Sequence, residues 1–210
     1  MSSIETALKR GRKDDVSEEA STAALAFADT AASSGALDIA YTEIELPVGT
    51  ALVAATKRGL VRISYSNIWD AEETLTDLAA RISPRVVEAP TYFDGVRSEL
   101  DEYFAGKRTS FDLPIDWSLT GGFARKILKR TARIPYGETA TYGEMAKAAG
   151  APRGARAAGN ALGSNPIPIV VPCHRVLHAD GGLGGYTGGV EKKELLLGLE
   201  GALPPRHSDI

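Results

Sequence analysis

The chain is 210 residues long, 43% hydrophobic and 24% charged, with a formal net charge of -3. That is ordinary globular composition, with room for one large domain or two small ones. No stretch approaches the roughly 18 to 20 apolar residues of a membrane span, and residues 1–13 carry scattered charge without a signal-peptide core, so the expected setting is cytoplasmic, with no membrane partner. Residues 1–117 hold 12 Lys and Arg against 20 Asp and Glu, while residues 118–210 hold 12 against 7. A basic second part beside an acidic first one fits a nucleic-acid-facing module on a scaffold, and fits a solvated surface equally well.

Residues 1–37, rich in Ala, Ser and charge, read as a mobile extension. Strand-like runs follow at residues 39–46, 51–56 and 60–65, broken by Pro47-Val48-Gly49 and Lys57-Arg58-Gly59, which predicts an antiparallel meander. Leu75, Leu78, Ala79 and Ile82 recur at helical spacing, as do Tyr92, Phe93, Val96, Leu100, Tyr103 and Phe104; both sets read as core-facing helix stripes. Between them, residues 85–88 are a candidate strand. Residues 106–117, with Pro114 inside, read as an extended linker, and a domain boundary near Trp117 coincides with the change in charge.

In the second part Phe123, Ile127 and Leu128 mark a helix that Ile134-Pro135-Tyr136-Gly137 breaks. Thr141-Tyr142-Gly143-Glu144 is a capping box that starts another, and Gly150 and Pro152 end it. Residues 155–162 then form a helix of mostly small residues, giving a helix-turn-helix with Arg156 near the start of its second helix. Such a helix lets its backbone approach a partner closely, although small residues also pack against other helices. The glycine-rich stretch 181–189 departs from G-x-G-x-x-G and reads as a flexible wall.

The single cysteine stands in Val170-Val171-Pro172-Cys173-His174-Arg175-Val176. It excludes an internal disulfide and a thiolate cluster. Free cysteine usually packs as a small hydrophobe. Here, however, Pro172 ends the strand-like run 167–171, placing Cys173 at a strand end, and three polar-capable side chains in a row are poor core material. A thiol attacks as its thiolate, and His174 and Arg175 offer a base and positive charge.

Ile134-Pro135-Tyr136-Gly137, Arg156-Ala157-Ala158-Gly159, Asn165-Pro166, Pro172-Cys173-His174-Arg175-Val176, Gly185-Tyr186-Thr187-Gly188-Gly189 and Leu195-Leu196 with Glu200 stand in one order. That order resembles the O6-alkylguanine-DNA alkyltransferases, convincingly from about Phe123 to Gly201 and in pattern alone over residues 39–117. The resemblance implies an α/β N-terminal domain at 38–117, a small antiparallel sheet with helices of ribonuclease H-like type. It implies a mostly α, winged-helix-like C-terminal domain with a helix-turn-helix at 118–203, leaving a tail at 204–210.

It also implies a protein that binds double-stranded DNA in the minor groove, flips out O6-alkylguanine and moves the alkyl group irreversibly to its own cysteine, as a monomer without a cofactor. O4-alkylthymine would be a poorer substrate. By position Cys173 is the implied nucleophile, His174 its base through a water, Glu200 the group orienting that imidazole, and Asn165 a hydrogen-bonding partner nearby. Arg156 is the implied finger filling the space of the flipped base, with Ala155, Ala157 and Gly159 alongside on the DNA-facing helix. Tyr142 crowds the 3' phosphate and contacts the guanine, and Val176, Tyr186 and Thr187 line its pocket. Several relatives carry serine at the Thr187 position, so this chain adds a methyl there. Some members hold structural zinc in the smaller domain; with Cys173 and His174 committed, His178 and His207 cannot build such a site, and no metal is expected. Two other readings stand beside this one: a non-catalytic lesion-binding protein, as in relatives that lost the cysteine, and a cysteine hydrolase using Cys173 and His174.

Overall fold

The computed structural model describes Thr30 and residues 38–203; the expected extension at 1–37, Thr30 apart, and the tail at 204–210 lie outside the described residues. Three strands form the meander: β1 (Ile39–Ile44), β2 (Ala51–Thr56) and β3 (Gly59–Tyr65), paired antiparallel in that order. At the β2–β3 turn Gly59 has φ +122°, and a Cβ there would fall 2.2 Å from the Pro114 carbonyl oxygen, so the position admits only glycine. The candidate strand at 85–88 exists as β4 (Val86–Glu88) and lies parallel to β1. The sheet, in order β3-β2-β1-β4, is therefore mixed. A helix separates β3 from β4, and a crossover of that length allows the parallel return that a hairpin forbids.

Helix α1 (Ala71–Arg81) begins at Asp70, whose side chain accepts from the Glu72 N–H, a standard N-cap. Its Leu78 packs with Ile39, Leu52, Ala54 and Val61 on one face of the sheet. The second predicted helix divides after Phe93, its first residues belonging to a 3₁₀ turn (Pro90–Phe93) that Pro90 opens and the rest to α2 (Asp94–Phe104). Its Phe93, Leu100 and Tyr103 enter a larger core that runs on into the second domain through Ile127, Leu128 and Val171. The edge of β3 is covered by chain that follows: Leu60 N–H donates to Pro114 O and Ile63 N–H to Pro166 O, both at 2.8 Å. Closing an exposed edge in this way ties the loop at Asn165-Pro166 to the sheet.

The second domain holds α3 (Gly122–Thr131), α4 (Tyr142–Ala148), α5 (Ala155–Gly163) and α6 (Val190–Leu199), with two-residue strands β5 (Ala140–Thr141) and β6 (Val176–Leu177) paired parallel. The capping box at Thr141 and Glu144 is formed in both directions. Helices α4 and α5 make the helix-turn-helix.

The expected strand at 167–171 does not form. Residues 167–171 are a compact turn, not a strand: Pro168 has no N–H to give a ladder, Ile169 adopts φ 72°, and Val171 N–H donates back to Ile167 O at 2.9 Å. Cys173 consequently opens a 3₁₀ turn (Cys173–Arg175) that leads into β6.

Candidate active site

The Asn165 side chain holds the turn that presents the cysteine. Its Oδ1 accepts from the Ile167 N–H at 3.1 Å, and its Nδ2 donates to Val171 O at 2.8 Å and lies 3.1 Å from the Cys173 sulfur. A β-branched residue held at positive φ, as Ile169 is, marks a segment over-determined by its surroundings. Cys173 is 6% exposed, yet it lines a cavity of about 720 Å³. Cys173 thus sits in the cavity wall.

His174, Arg175 and Glu200 are all buried, contrary to the expectation that a Cys-His-Arg run avoids the core. They are buried because they satisfy one another. Glu200, the C-cap of α6, takes Arg175 bidentately, Nε to Oε2 and Nη2 to Oε1 at 2.8 Å each. It also meets His174 Nε2 at 2.9 Å and accepts from the Tyr103 hydroxyl at 2.6 Å. Burial pushes the Glu200 carboxyl up, but hydrogen bonds from His174 and Arg175 outweigh it and hold the group at about 2. A carboxylate so fixed makes Nε2 the protonated nitrogen of His174, leaving Nδ1 as the lone-pair side; Nδ1 is buried with no protein hydrogen-bond partner.

Burial also lowers the His174 pKa below its ordinary 6.5, against the pull of Glu200, so the imidazole is a neutral base near pH 7. It raises the Cys173 thiol, against the Asn165 hydrogen bond and the charge of Lys193. Arg175 does not face the sulfur: its remaining Nη1 donates to Ile134 O. The positive charge expected beside the thiol comes instead from Lys193, which is fully buried. Its Nζ donates to Val176 O at 2.7 Å and to Leu183 O, and burial lowers it to about 8.

The other predicted residues divide. Tyr142, Ala155, Arg156, Gly159, Tyr186 and Thr187 line the same cavity as Cys173. Arg156 and Ala157 are exposed, but Ala157 is not on the cavity wall. Nor is Val176, which is fully buried and serves through its carbonyl on Lys193. Thr187 fixes its loop by donating to Gly163 O at 3.1 Å, and the Tyr186 and Tyr65 hydroxyls are 3.1 Å apart. Sequence reasoning missed Lys193, which looks like one member of the solvated run Glu191-Lys192-Lys193-Glu194. It also missed the first domain's part: Ile68 and Trp69 on the cavity rim, and Tyr103 at Glu200. None of these carries a local signal: Lys193 is brought in by the fold of the second domain onto Val176 and Leu183, and Ile68, Trp69 and Tyr103 by the packing of one domain on the other. No group of three His, Cys, Asp or Glu able to hold a metal occurs among the described residues, and among them no helix is long and apolar enough to cross a membrane.

The family described as 6-O-methylguanine DNA methyltransferase matches on both halves: its DNA-binding domain over residues 122–202 and its ribonuclease-like domain over residues 39–117. The chain belongs to this family. Within the methyltransferase family it is similar to the methylated-DNA--protein-cysteine methyltransferase of Mycobacterium tuberculosis strain H37Rv, 41% identical over 80% of this chain and 95% of that one. The Mycolicibacterium paratuberculosis protein of the same name is 52% identical over 58% of this chain and 70% of its own length. Among solved structures, the M. tuberculosis O6-methylguanine methyltransferase superposes with a TM-score of 0.67 at 38% identity, covering 80% of this chain and 96% of the other. The same enzyme solved in complex with DNA gives 0.67 at 39%, again over 80% and 96%. The fold expected from the resemblance, an α/β domain followed by a helical DNA-binding domain, is the fold of these relatives.

Proposed function

We propose that this chain is a direct-reversal DNA repair protein, a methylated-DNA--protein-cysteine methyltransferase that acts once. It binds duplex DNA through α5 in the minor groove, everts O6-alkylguanine into the Cys173 cavity, and keeps the alkyl group. The observation that carries the reading is a cysteine on the cavity wall followed directly in the chain by a buried imidazole whose Nε2 meets the Glu200 carboxylate at 2.9 Å.

His174 Nδ1, through a water, takes the thiol proton as the sulfur attacks the alkyl carbon. A carbon–sulfur bond forms, the carbon–O6 bond breaks, and guanine leaves with the electron pair and takes up one proton from solvent, balanced by the thiol proton that the imidazolium returns to it. Glu200 stabilises the imidazolium formed in that step and orients the ring throughout, which is the logic of an activated nucleophile with a base and an orienting group. Asn165 holds the sulfur. Burial raises the thiol, so little thiolate exists at rest and reactivity appears only as the base works. The product is a thioether, which no neighbouring group cleaves, so each molecule is spent after one transfer.

Extruding a base costs a few kcal/mol, less for a mispairing lesion; Arg156, exposed on α5, fills the space it leaves. Tyr142, Tyr186 and Thr187 enclose the guanine, and Ala155, Ala157 and Gly159 allow close approach to the groove.

Duplex DNA containing O6-methylguanine, mixed with the protein, should add one methyl group to the peptide spanning Cys173, in an amount equal to the protein and no more. An unmodified peptide sinks the proposal. Lesion binding without transfer would favour a non-catalytic binder, and repeated turnover on an ester or amide would favour a hydrolase. The transfer rate should fall on acidification, since the base is lost as pH drops through the His174 pKa, which lies below 6.5.

A further inference from the structure

We propose that Tyr103, from the first domain, is a positioning residue for alkyl transfer: its hydroxyl occupies Glu200 Oε1 and so fixes how strongly that carboxylate holds the His174 proton. This rests on the alkyl-transfer reading and adds a second domain to the reacting network.

The geometry argues against a packing role alone. Tyr103 is fully buried, with its ring edge-on to Phe104 and Tyr136. Phenylalanine would fill the same space without taking a hydroxyl out of water, a cost that stands unless a partner offsets it. The partner is Glu200 Oε1 at 2.6 Å, the same oxygen that meets His174 Nε2 at 2.9 Å and Arg175 Nη2 at 2.8 Å. Oε2 has Arg175 Nε at 2.8 Å, with Gly137 N–H distant at 3.5 Å. The guanidinium already balances the charge. What Tyr103 adds is a third donor on the oxygen that faces the imidazole, which drains its basicity. Burial and the adjacent carboxylate raise the Tyr103 pKa far above its ordinary value, so the hydroxyl stays a donor.

The groups that enter the balance of the pair come from four elements around it. Arg175 comes from the 3₁₀ turn, Tyr136 from the loop after α3, Lys193 from α6 and Tyr103 from α2. Tyr136 donates to Leu199 O and lies under Arg175. Lys193 opposes the His174 charge, and Tyr186 stands edge-on to His174 at 6.4 Å. Of the neutral groups, only Tyr103 has its hydroxyl on the carboxylate.

The sign follows. Removing the hydroxyl leaves Oε1 more basic, favours the imidazolium, raises the His174 pKa and makes the base available only at higher pH.

The test is Tyr103→Phe in the full chain, with single-turnover methyl transfer followed between about pH 5 and pH 9. The acidic limb should move up by about one pH unit, making the variant about tenfold slower below the limb, while the two proteins converge above it. Alkylation of Cys173 by iodoacetamide, which needs no DNA, should show the same displacement. If the wild type transfers no methyl group, the alkyl-transfer reading fails, and the iodoacetamide profile still reports on Tyr103. In a Glu200→Gln background, adding Tyr103→Phe should change the iodoacetamide profile no further. A profile unchanged by Tyr103→Phe, a loss uniform across pH that tracks a lower Tm, or additive effects in the double variant would each overturn the proposal. Should Tyr103→Phe fail to fold, the Tyr103 hydroxyl proton in the unaltered chain decides: its NMR resonance must shift as His174 titrates, and a flat resonance overturns the claim.

Discussion

The two domains place their charges in opposite ways. The first keeps its ion pairs near water: Asp38 with Arg85, Arg62 and Arg81 with Asp77, and Arg108 among Glu99, Glu102 and Asp112, with Asp116 the buried exception. The second buries Asn165, His174, Arg175, Lys193 and Glu200, with Asn165 on the sulfur and His174 and Arg175 on Glu200. Surface pairs contribute about 0–1 kcal/mol each, whereas buried charges cost several kcal/mol to desolvate and survive only when paired or held by hydrogen bonds. A domain that accepts that cost around one thiol is organised for chemistry, and the other is organised to hold it in place.

The sharpest way to break this contrast is to remove one carboxylate from each domain. Glu200→Ala leaves Arg175 buried without its partner and should destabilise the fold by about 3–5 kcal/mol in urea denaturation, besides abolishing transfer. Asp38→Ala, whose partner Arg85 is 67% exposed, should cost no more than about 1 kcal/mol. Equal losses would dissolve the distinction. The acid response separates them too. Glu200 is held at about 2 against an ordinary 4.5, so its contribution is complete above pH 4.5 and is lost as pH falls towards 2. A Glu200→Gln variant should lack that part of the acid denaturation.

Arg156→Ala should produce the next effect and should leave stability untouched, because the side chain is exposed while lining the cavity. Without the finger, the everted state loses what fills the stack. Transfer from duplex DNA should slow by roughly tenfold to a hundredfold, the scale set by a few kcal/mol of base extrusion. Transfer from free O6-methylguanine, which needs no eversion, should not slow, and a matching loss there would assign Arg156 to the pocket instead.

The difference between the domains also explains what could be read before any coordinates. Strand and helix spans followed from local pattern, because the turns at Gly49 and Gly59 and the cap at Thr141 are local chemistry. Cys173 and His174 stood out from their own Pro-Cys-His-Arg context, whereas Glu200 and Asn165 were legible only through the order of short motifs, and the structure puts Asn165 on the sulfur and Glu200 on His174. Three things escaped. The run at 167–171 has strand composition, but Pro168 and the Asn165 side chain bend it into a turn. Arg175 reads as a neighbour of the thiol, whereas the 3₁₀ turn sends it to the far side, onto Glu200. Lys193, Tyr103 and Trp69 reach the site through tertiary packing, which no window along the chain contains.

The smallest effect refines the comparison within the site itself. Thr187 has two parts: a hydroxyl that donates to Gly163 O and steadies the loop against α5, and a methyl group on a residue lining the cavity. Thr187→Ser keeps the first and removes the second. Methyl transfer should then stay within about twofold, since the small group leaves the wall unstressed, while transfer of a benzyl group from O6-benzylguanine should quicken by about tenfold, the lower end of the range for one methyl in an apolar pocket. Thr187→Val makes the opposite cut, retaining the bulk and leaving the Gly163 carbonyl without its donor. It should slow both substrates alike by loosening the wall. If Thr187→Ser instead slowed both and Thr187→Val left both unchanged, the hydroxyl would have no part in the loop, and alkyl size would be set elsewhere on the rim, where Ile68 and Trp69 stand.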